Sequence, residues 1–539
     1  MNRPGDDPAR PIIQRRRAFA IRATAALTLV LALSAGYRGL ARTILYNSDH
    51  ANILLQAQDL AAGNLALRGW TLSNCSFYPE TVFYALALMM NHSASALMRD
   101  GAAFIYAILV LVALWLTGRG SSTPSSYLGY AIAFPLIALP QSLQHLYIAP
   151  GTHISTMILV LAALISLSFT AEKSARAPAA YVVYFVLMAT AVFGDPFAIY
   201  IGAIPIAAVA ALRWVRSRFS RHGELLAIVA TLGAVIIGIA ALKLISGAGG
   251  FRTVPIAAHF VARPALRGNA AATFGAVAAL VGLTATPGAA TPLGAILLLA
   301  RAAGLMLILG CCAVCAYRVV LGVENRTNEI LLAALALDIL EYLFSDRVVG
   351  LETVRYLVPS VLFGAVLAGR IGASVIPRAR ISYAAVALFL IAYLCGFVRL
   401  MTSAERPGQT QALLAQWLYQ HGLVSGYGDY WDASSITVES AGQVKIRAVV
   451  FGANGVLLPY HWESKDVWYS GDGRSKPPNF LLLKGALNPV KMFFAARTFG
   501  PPAQTYRIQG YIVMVWNPGR WIVPVLPPRQ WRILPLGIR

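Results

Sequence analysis

Only 12% of the 539 residues are charged, against 58% that are hydrophobic, and so small a polar share excludes an ordinary soluble globular chain. A water-soluble core of this length could not hide that much apolar surface, so the bilayer must be the main solvent. Acidic residues are scarcer still, 22 against 44 Lys and Arg, for a net charge of +22. Such an excess can signal nucleic acid. Here the basic residues are mostly arginines dispersed among short loops between apolar stretches, which fits a membrane surface and argues against nucleic acid as a partner. Cysteine is rare as well: of five, Cys311, Cys312, Cys315 and Cys395 fall in apolar stretches and none follows them, so no disulfide framework holds the C-terminal part together. Cys75 alone sits in polar sequence. No solenoid repeat is present, and the Pro/Arg-containing N-terminal tail is the only biased segment.

What the chain has in abundance is apolar runs of membrane length, such as Ala18 to Tyr37 (broken only by Arg22), Leu225 to Leu242 and Ile381 to Val398. Reading these with the distribution of Lys and Arg predicts about eleven transmembrane helices. They fall near 19–38, 101–117, 127–143, 153–170, 179–193, 197–212, 225–245, 293–317, 328–345, 356–371 and 381–400. The inner loops then carry Arg119, Lys173, Arg176, Arg213 to Arg221, Arg318, Arg326, Arg370 and Arg378. Residues 1–18 form a cytoplasmic tail, and no small-x-small site after the first span predicts its cleavage. A long outer loop covers 39–100. Counting the Ala/Gly-rich stretch in 246–292 as a span would place Arg370, Arg378 and Arg380 outside, so this segment is expected to be re-entrant or interfacial. The fold class is therefore a polytopic α-helical membrane protein with a C-terminal soluble α+β domain, residues 401–539, on the outer face of the membrane. In that domain Thr410 to His421 reads as a helix, and Val444 to Val449 and Tyr506 to Val515 as half-buried strands.

Chemistry concentrates in the outer loops. Ser48 can cap a helix that Gly63 stops, with Asp49, Asn52, Gln56 and Asp59 on one face, and such a helix is expected to lie on the membrane surface. Asp49 then sits at headgroup level, as a site residue or simply as a helix N-terminal charge. Glu80 is placed against the dipole of a following helix, and Asp195 before Pro196 can cap another. Within the spans Asp338, Glu341 and Arg301 either pair as buried ions or mark a site, and Arg301 or Arg355 can hold phosphate through a two-bond fork. His145 and His153 flank an outer turn with no carboxylate or cysteine nearby in sequence, so no metal site is expected. Tyr427, Asp429, Tyr430 and Trp431 lie in a Gly-rich aromatic and acidic stretch that reads as a loop, suited to stacking on sugar rings or to packing within its own domain.

Taken together, several segments resemble the GT-C superfamily of integral membrane glycosyltransferases, in particular bacterial members with a periplasmic C-terminal domain. The resemblance rests on Ser48-Asp49-His50-Ala51 through Gly63-Asn64 and Gly69-Trp70, on Gly194-Asp195-Pro196, and on Arg355-Tyr356-Leu357-Val358-Pro359. Gly426-Tyr427-Gly428-Asp429-Tyr430-Trp431 and Phe499-Gly500-Pro501-Pro502 add to it. It implies an inverting transfer of sugar from a polyprenyl-phosphate donor to a glycan or lipid-linked acceptor, with Asp49 as general base. His50, Glu80, Asp195, Arg301, Arg355 and Tyr356 would serve donor binding, and Tyr427, Asp429, Tyr430 and Trp431 the acceptor. The paired Asp-x-Asp and the Trp-Trp-Asp-Tyr-Gly of oligosaccharyltransferases are missing, and His50 stands where protein mannosyltransferases pair Asp with Glu. No metal and no cofactor are expected. Two other readings remain open: a transporter or flippase of a lipid-linked glycan, and a non-catalytic scaffold or accessory subunit.

Overall fold

The structure is a computed structural model, and it describes residues 10–90, 92–120, 123–141, 143, 148–170, 177–256, 259–284, 291–346, 348, 350–377, 379–402, 408–452, 455–469, 477–485 and 489–517. His145, Lys173, Arg176 and Arg378 lie outside the described residues. Helix α1 (Arg10–Ala41) leads into a loop that carries α2 (Ser48–Ala61), strand β1 (Trp70–Leu72) and α3 (Tyr78–Met89). The bundle continues with α4 (Ala94–Gly118), α5 (Thr123–Ala138), α6 (Ile154–Phe169) and α7 (Ala177–Gly194). One π-helical turn (Ile199–Ala203) then opens α8 (Ile204–Arg216), followed by α9 (His222–Gly247). After β2 (Arg252–Thr253) and α10 (Leu266–Leu280), the helices α11 (Pro292–Val320), α12 (Arg326–Phe344), α13 (Val358–Val375) and α14 (Arg380–Met401) complete it. Each apolar stretch read from the sequence coincides with one of these helices. Among the described residues eight helices are long and apolar enough to cross a membrane, and α5 and α6 are shorter apolar helices.

Close packing of small residues and capping by charged ones hold the bundle together. Helices α5 and α13 approach through Gly129 and Gly369: a Cβ on either would lie 2.9 or 2.8 Å from the other's carbonyl oxygen, a contact no larger residue could make. Asp338 does not pair with Arg301. Its Oδ2 accepts from Ser360 N at 3.0 Å and Ser360 Oγ at 2.6 Å, capping the first turn of α13. Arg301 instead donates to Gln141 Oε1 and to the Gly282 carbonyl at 3.0 Å. The described part of the 246–292 segment, expected to be re-entrant or interfacial, holds β2 and α10. β2 pairs in parallel with β1, and α10 packs its buried Ala276 and Leu280 with Tyr342, Val354 and Leu357.

The C-terminal domain begins with α15 (Gly408–Gln420), β3 (Ser425–Asp429), α16 (Tyr430–Glu439) and β4 (Lys445–Phe451). It continues with β5 (Leu457–Pro459), β6 (Ser464–Lys465), β7 (Phe480–Lys484), α17 (Pro489–Phe499), β8 (Gln504–Ile508) and β9 (Tyr511–Val515). The six-stranded sheet runs β5-β4-β3-β7-β9-β8, with β4, β3 and β7 parallel and the outer pairs antiparallel. Its two faces bury separate cores, one with Leu414, Leu418, Ala433 and Phe480, the other with Leu457, Leu481, Ala495 and Phe499. Two sequence expectations fail here. The Gly-rich stretch expected as a loop is the central strand β3, where glycine lets neighbouring chains approach: a Cβ on Gly426 would meet the Phe480 ring at 2.5 Å. The run 506–515 is also not one strand. It turns at Gln509 and Gly510, both at positive φ, into the β8–β9 hairpin.

Candidate active site

Helix α2 is where the two halves of the molecule meet. Its N-cap is Asn47 rather than Ser48: Asn47 Oδ1 accepts from His50 N at 3.3 Å and His50 Nδ1 accepts from Asn47 N at 3.1 Å, a capping box. Ser48 is taken by the C-terminal domain, donating to the Tyr430 carbonyl and accepting from Ser434 N at 3.0 Å. The polar face expected to lie against headgroups is thus covered by protein. Asn52 Nδ2 donates to Glu463 at 3.4 Å, and Lys465 Nζ reaches both oxygens of Asp59 at 2.8 Å. β6 adds to β1 as an antiparallel neighbour, and Arg99 at the start of α4 pairs with Glu439.

Asp49 stands at the N-terminus of α2 in this seam. Its Oδ1 accepts from the Tyr430 hydroxyl at 2.5 Å, and its Oδ2 lies 3.9 Å from Arg355 Nη1. Both side chains remain reachable, 21% and 32% exposed, although Arg355 Nε is buried without a partner. Glycine Gly350, at φ +79, turns the chain into the 3-10 turn Leu351–Leu357 that carries Arg355 and Tyr356. The Arg355 guanidinium lies 5.3 Å from the Tyr356 ring centroid. His50 does not join this group through Nδ1, which is spent on the cap. Burial, then the Arg355 charge, lower the His50 imidazole to about 3, so it stays neutral and can accept there.

Behind Tyr356 lies a second cluster. The His153 ring packs against Tyr356, Phe197 and Phe77 at centroid distances of 5.5, 5.0 and 5.4 Å. Its Nδ1 bonds Asp195 Oδ2 at 2.6 Å, an oxygen that also accepts from Thr156 Oγ1 at 2.7 Å. Asp195 Oδ1 accepts from Cys75 Sγ at 3.1 Å and from Phe197 N at 3.0 Å. Burial alone would push this carboxyl up; the His153 charge and these bonds outweigh it and hold Asp195 below its usual range. The turn around His153 therefore does have a carboxylate and a thiol beside it, brought from loops remote in sequence. Cys75, His153 and Asp195 keep their donor atoms within 4.8 Å of one another and could present them to a divalent cation, though here those atoms bond each other. Glu80 borders the cluster, accepting from Gly151 N at 2.9 Å and Ser155 Oγ at 2.8 Å. It thus serves the start of α6 as well as its own helix. Phe77, His153 and Glu463 are non-glycine residues at φ +44, +64 and +46, and such strain gathers where packing over-determines a site.

No family model matches this sequence, and no curated protein matches it either. Solved structures do. ArnT from Cupriavidus metallidurans bound to undecaprenyl phosphate aligns with a TM-score of 0.55 at 11% identity, over 93% of this chain and 98% of that one. Its apo state aligns with a TM-score of 0.54 at 9% identity, over 92% and 98%. This chain has the GT-C fold. The archaeal oligosaccharyltransferase AglB from Archaeoglobus fulgidus aligns at a TM-score of 0.49 and 12% identity, over 94% of this chain and 75% of that one.

Within this GT-C fold the residues singled out from sequence separate into three groups. Asp49, Arg355, Tyr356, Asp195 and Glu80 form one continuous cluster, and Tyr430 joins it as the partner of Asp49. Arg301 is held elsewhere, by Gln141 and Gly282. Tyr427 is buried in the domain core on Phe499, Asp429 pairs with Lys491 at 3.5 Å, and Trp431 is 39% exposed. Sequence reasoning missed Cys75 and Glu463 and set His153 aside. No local motif surrounds any of them.

Proposed function

We propose that this protein transfers a sugar from a polyprenyl-phosphate donor to a hydroxyl acceptor at the seam between bundle and C-terminal domain. The observation that carries the reading is the Asp49–Arg355 pair: a carboxylate and a guanidinium, both partly exposed, in a long ion pair of 3.9 Å that is not closed by a hydrogen bond. A pair held this loosely can part, the carboxylate to meet a hydroxyl and the guanidinium a phosphate oxygen. Asp49 removes the acceptor hydroxyl proton as the acceptor oxygen bonds to C1; the C1–oxygen bond to phosphate breaks, and its electron pair leaves with the lipid phosphate, stabilised by Arg355. Single displacement inverts C1.

The GT-C fold supports the same reaction class. The test is transfer from a panel of synthetic polyprenyl-phosphate sugars by the protein in lipid nanodiscs. Asp49→Asn, nearly isosteric, should abolish transfer while the protein stays folded; turnover near wild type would remove Asp49 from the mechanism.

A further inference from the structure

The chain between β5 and β6 pushes Glu463 into the seam beside α2. The side chain is buried, and its backbone is held at φ +46 with no glycine to relieve it. Asn52 Nδ2 donates to Glu463 Oε2 at 3.4 Å, while Oδ1 of the same amide is buried with no donor. A carboxylate offers only acceptors and leaves that oxygen unpaired. A carboxylic acid closes a ring of two bonds: its O–H donates to Asn52 Oδ1, and the amide N–H donates to its carbonyl oxygen.

The surrounding charges favour the same state. Asp49 on α2 repels a second negative charge, and Arg355 on the opposite side already faces Asp49. The other titratable groups that face Glu463 are Tyr430 on α16, Tyr460 on its own strand connection, and Cys75 in the first loop. Burial and then Asp49 push the Glu463 carboxyl up to about 8, against the pull of Ser73, Asn52 and Arg355. Every group but Arg355 is neutral or negative.

We propose that Glu463 is a positioning residue of the active site, held as a neutral carboxylic acid in a two-bond pair with Asn52, and that its ionisation sets the alkaline limit of sugar transfer. The inference rests on the transfer reaction proposed above. Glu463 exchanges no proton with substrate. It locks the C-terminal domain onto α2 one turn from Asp49 and keeps a second negative charge away from that carboxylate. Ionisation breaks the ring at Asn52 and places two anions side by side.

The test compares wild type with Glu463→Gln, whose amide forms the same two-bond ring at every pH, in two measurements. The infrared difference spectrum between wild type and Glu463→Gln should contain a protonated-carboxyl band at neutral pH that fades near pH 8, and its absence overturns the proposal. In the transfer assay, wild-type kcat/KM should fall about tenfold per pH unit above that midpoint, whereas Glu463→Gln should keep activity within about threefold of wild type at neutral pH and lose the alkaline fall. A purely structural Glu463 would change the level of activity without moving the limb, so an unchanged limb also overturns the proposal. A normal band in a wild type that transfers no sugar at any pH overturns the glycosyltransferase reading, and the alkaline role with it, which separates the two failures.

Discussion

The Tyr430 hydroxyl, on the first turn of α16, donates to Asp49 Oδ1 at 2.5 Å across the boundary between the membrane bundle and the C-terminal domain. A base that already accepts one strong bond has its free oxygen aimed. Asp49 and Tyr430 should therefore act as a unit. Tyr430→Phe should lower kcat about tenfold, the worth of one hydrogen bond to a charged group at about 1.5 kcal/mol, and leave donor KM within twofold. A steady-state assay against acceptor and donor separately checks it, and a pure rise in donor KM would contradict it.

Arg355 presents a planar fork beside Asp49, and lysine in its place would offer a point charge on a flexible stem. Arg355→Lys and Arg355→Ala should both lose roughly ten- to hundredfold in transfer, about 1.5–3 kcal/mol. Arg301→Lys should cost less, because Arg301 is already engaged by Gln141 and Gly282. Loss in kcat would mean that the Arg355 contact strengthens in the transition state, and loss in donor affinity that it does not. Turnover like wild type in both Arg355 variants would make the residue an interfacial anchor.

Burial raises the Glu80 carboxyl to about 7 from an ordinary 4.5. Between those values the folded protein keeps a proton that the unfolded chain has released, so this group's contribution to stability falls as pH rises across that window and is level above it. The difference in thermal midpoint between wild type and Glu80→Gln, measured in micelles, should slope over about pH 4.5–7. A flat difference would place Glu80 in the ordinary range.

The contact between Gly129 and Gly369 leaves no space for a methyl group. Gly369→Ala should separate α5 from α13 and destabilise the bundle by about 1–3 kcal/mol, the usual cost of overpacking, seen as a lowered thermal midpoint. Gly310→Ala, where a Cβ would meet open space, is the matched control and should be neutral or slightly stabilising.

Helix positions were legible because lipid demands long apolar stretches, a signal that survives in one sequence. Asp49, Asp195 and Arg355 were legible for a related reason: charged residues beside spans are few, and each stands out. What joined them was not. His153 and Asp195 meet through turns 42 positions apart, and no periodicity links two turns. The cap on α2 was assigned to Ser48 because serine is a good cap in isolation; the neighbouring Asn47 wins because Ser48 is claimed by Tyr430 and Ser434. β3 was read as a loop because Gly426 and Gly428 weaken strand propensity, yet close neighbours on both sides require glycine there. Glu463 carried no signal at all, since its role depends on a left-handed backbone and on Asn52, 411 positions earlier.

The polar face of α2 gives the C-terminal domain Ser48, Asp49, Asn52 and Asp59 to hold, and the domain answers with Tyr430, Ser434, Glu463 and Lys465. Such an arrangement is not modular. A chimera that kept the helical bundle and grafted on a foreign C-terminal domain would lose the hydroxyl that donates to Asp49. Acceptor preference could then drift only through substitutions that leave those four contacts standing, which confines its variation to the rim of the seam.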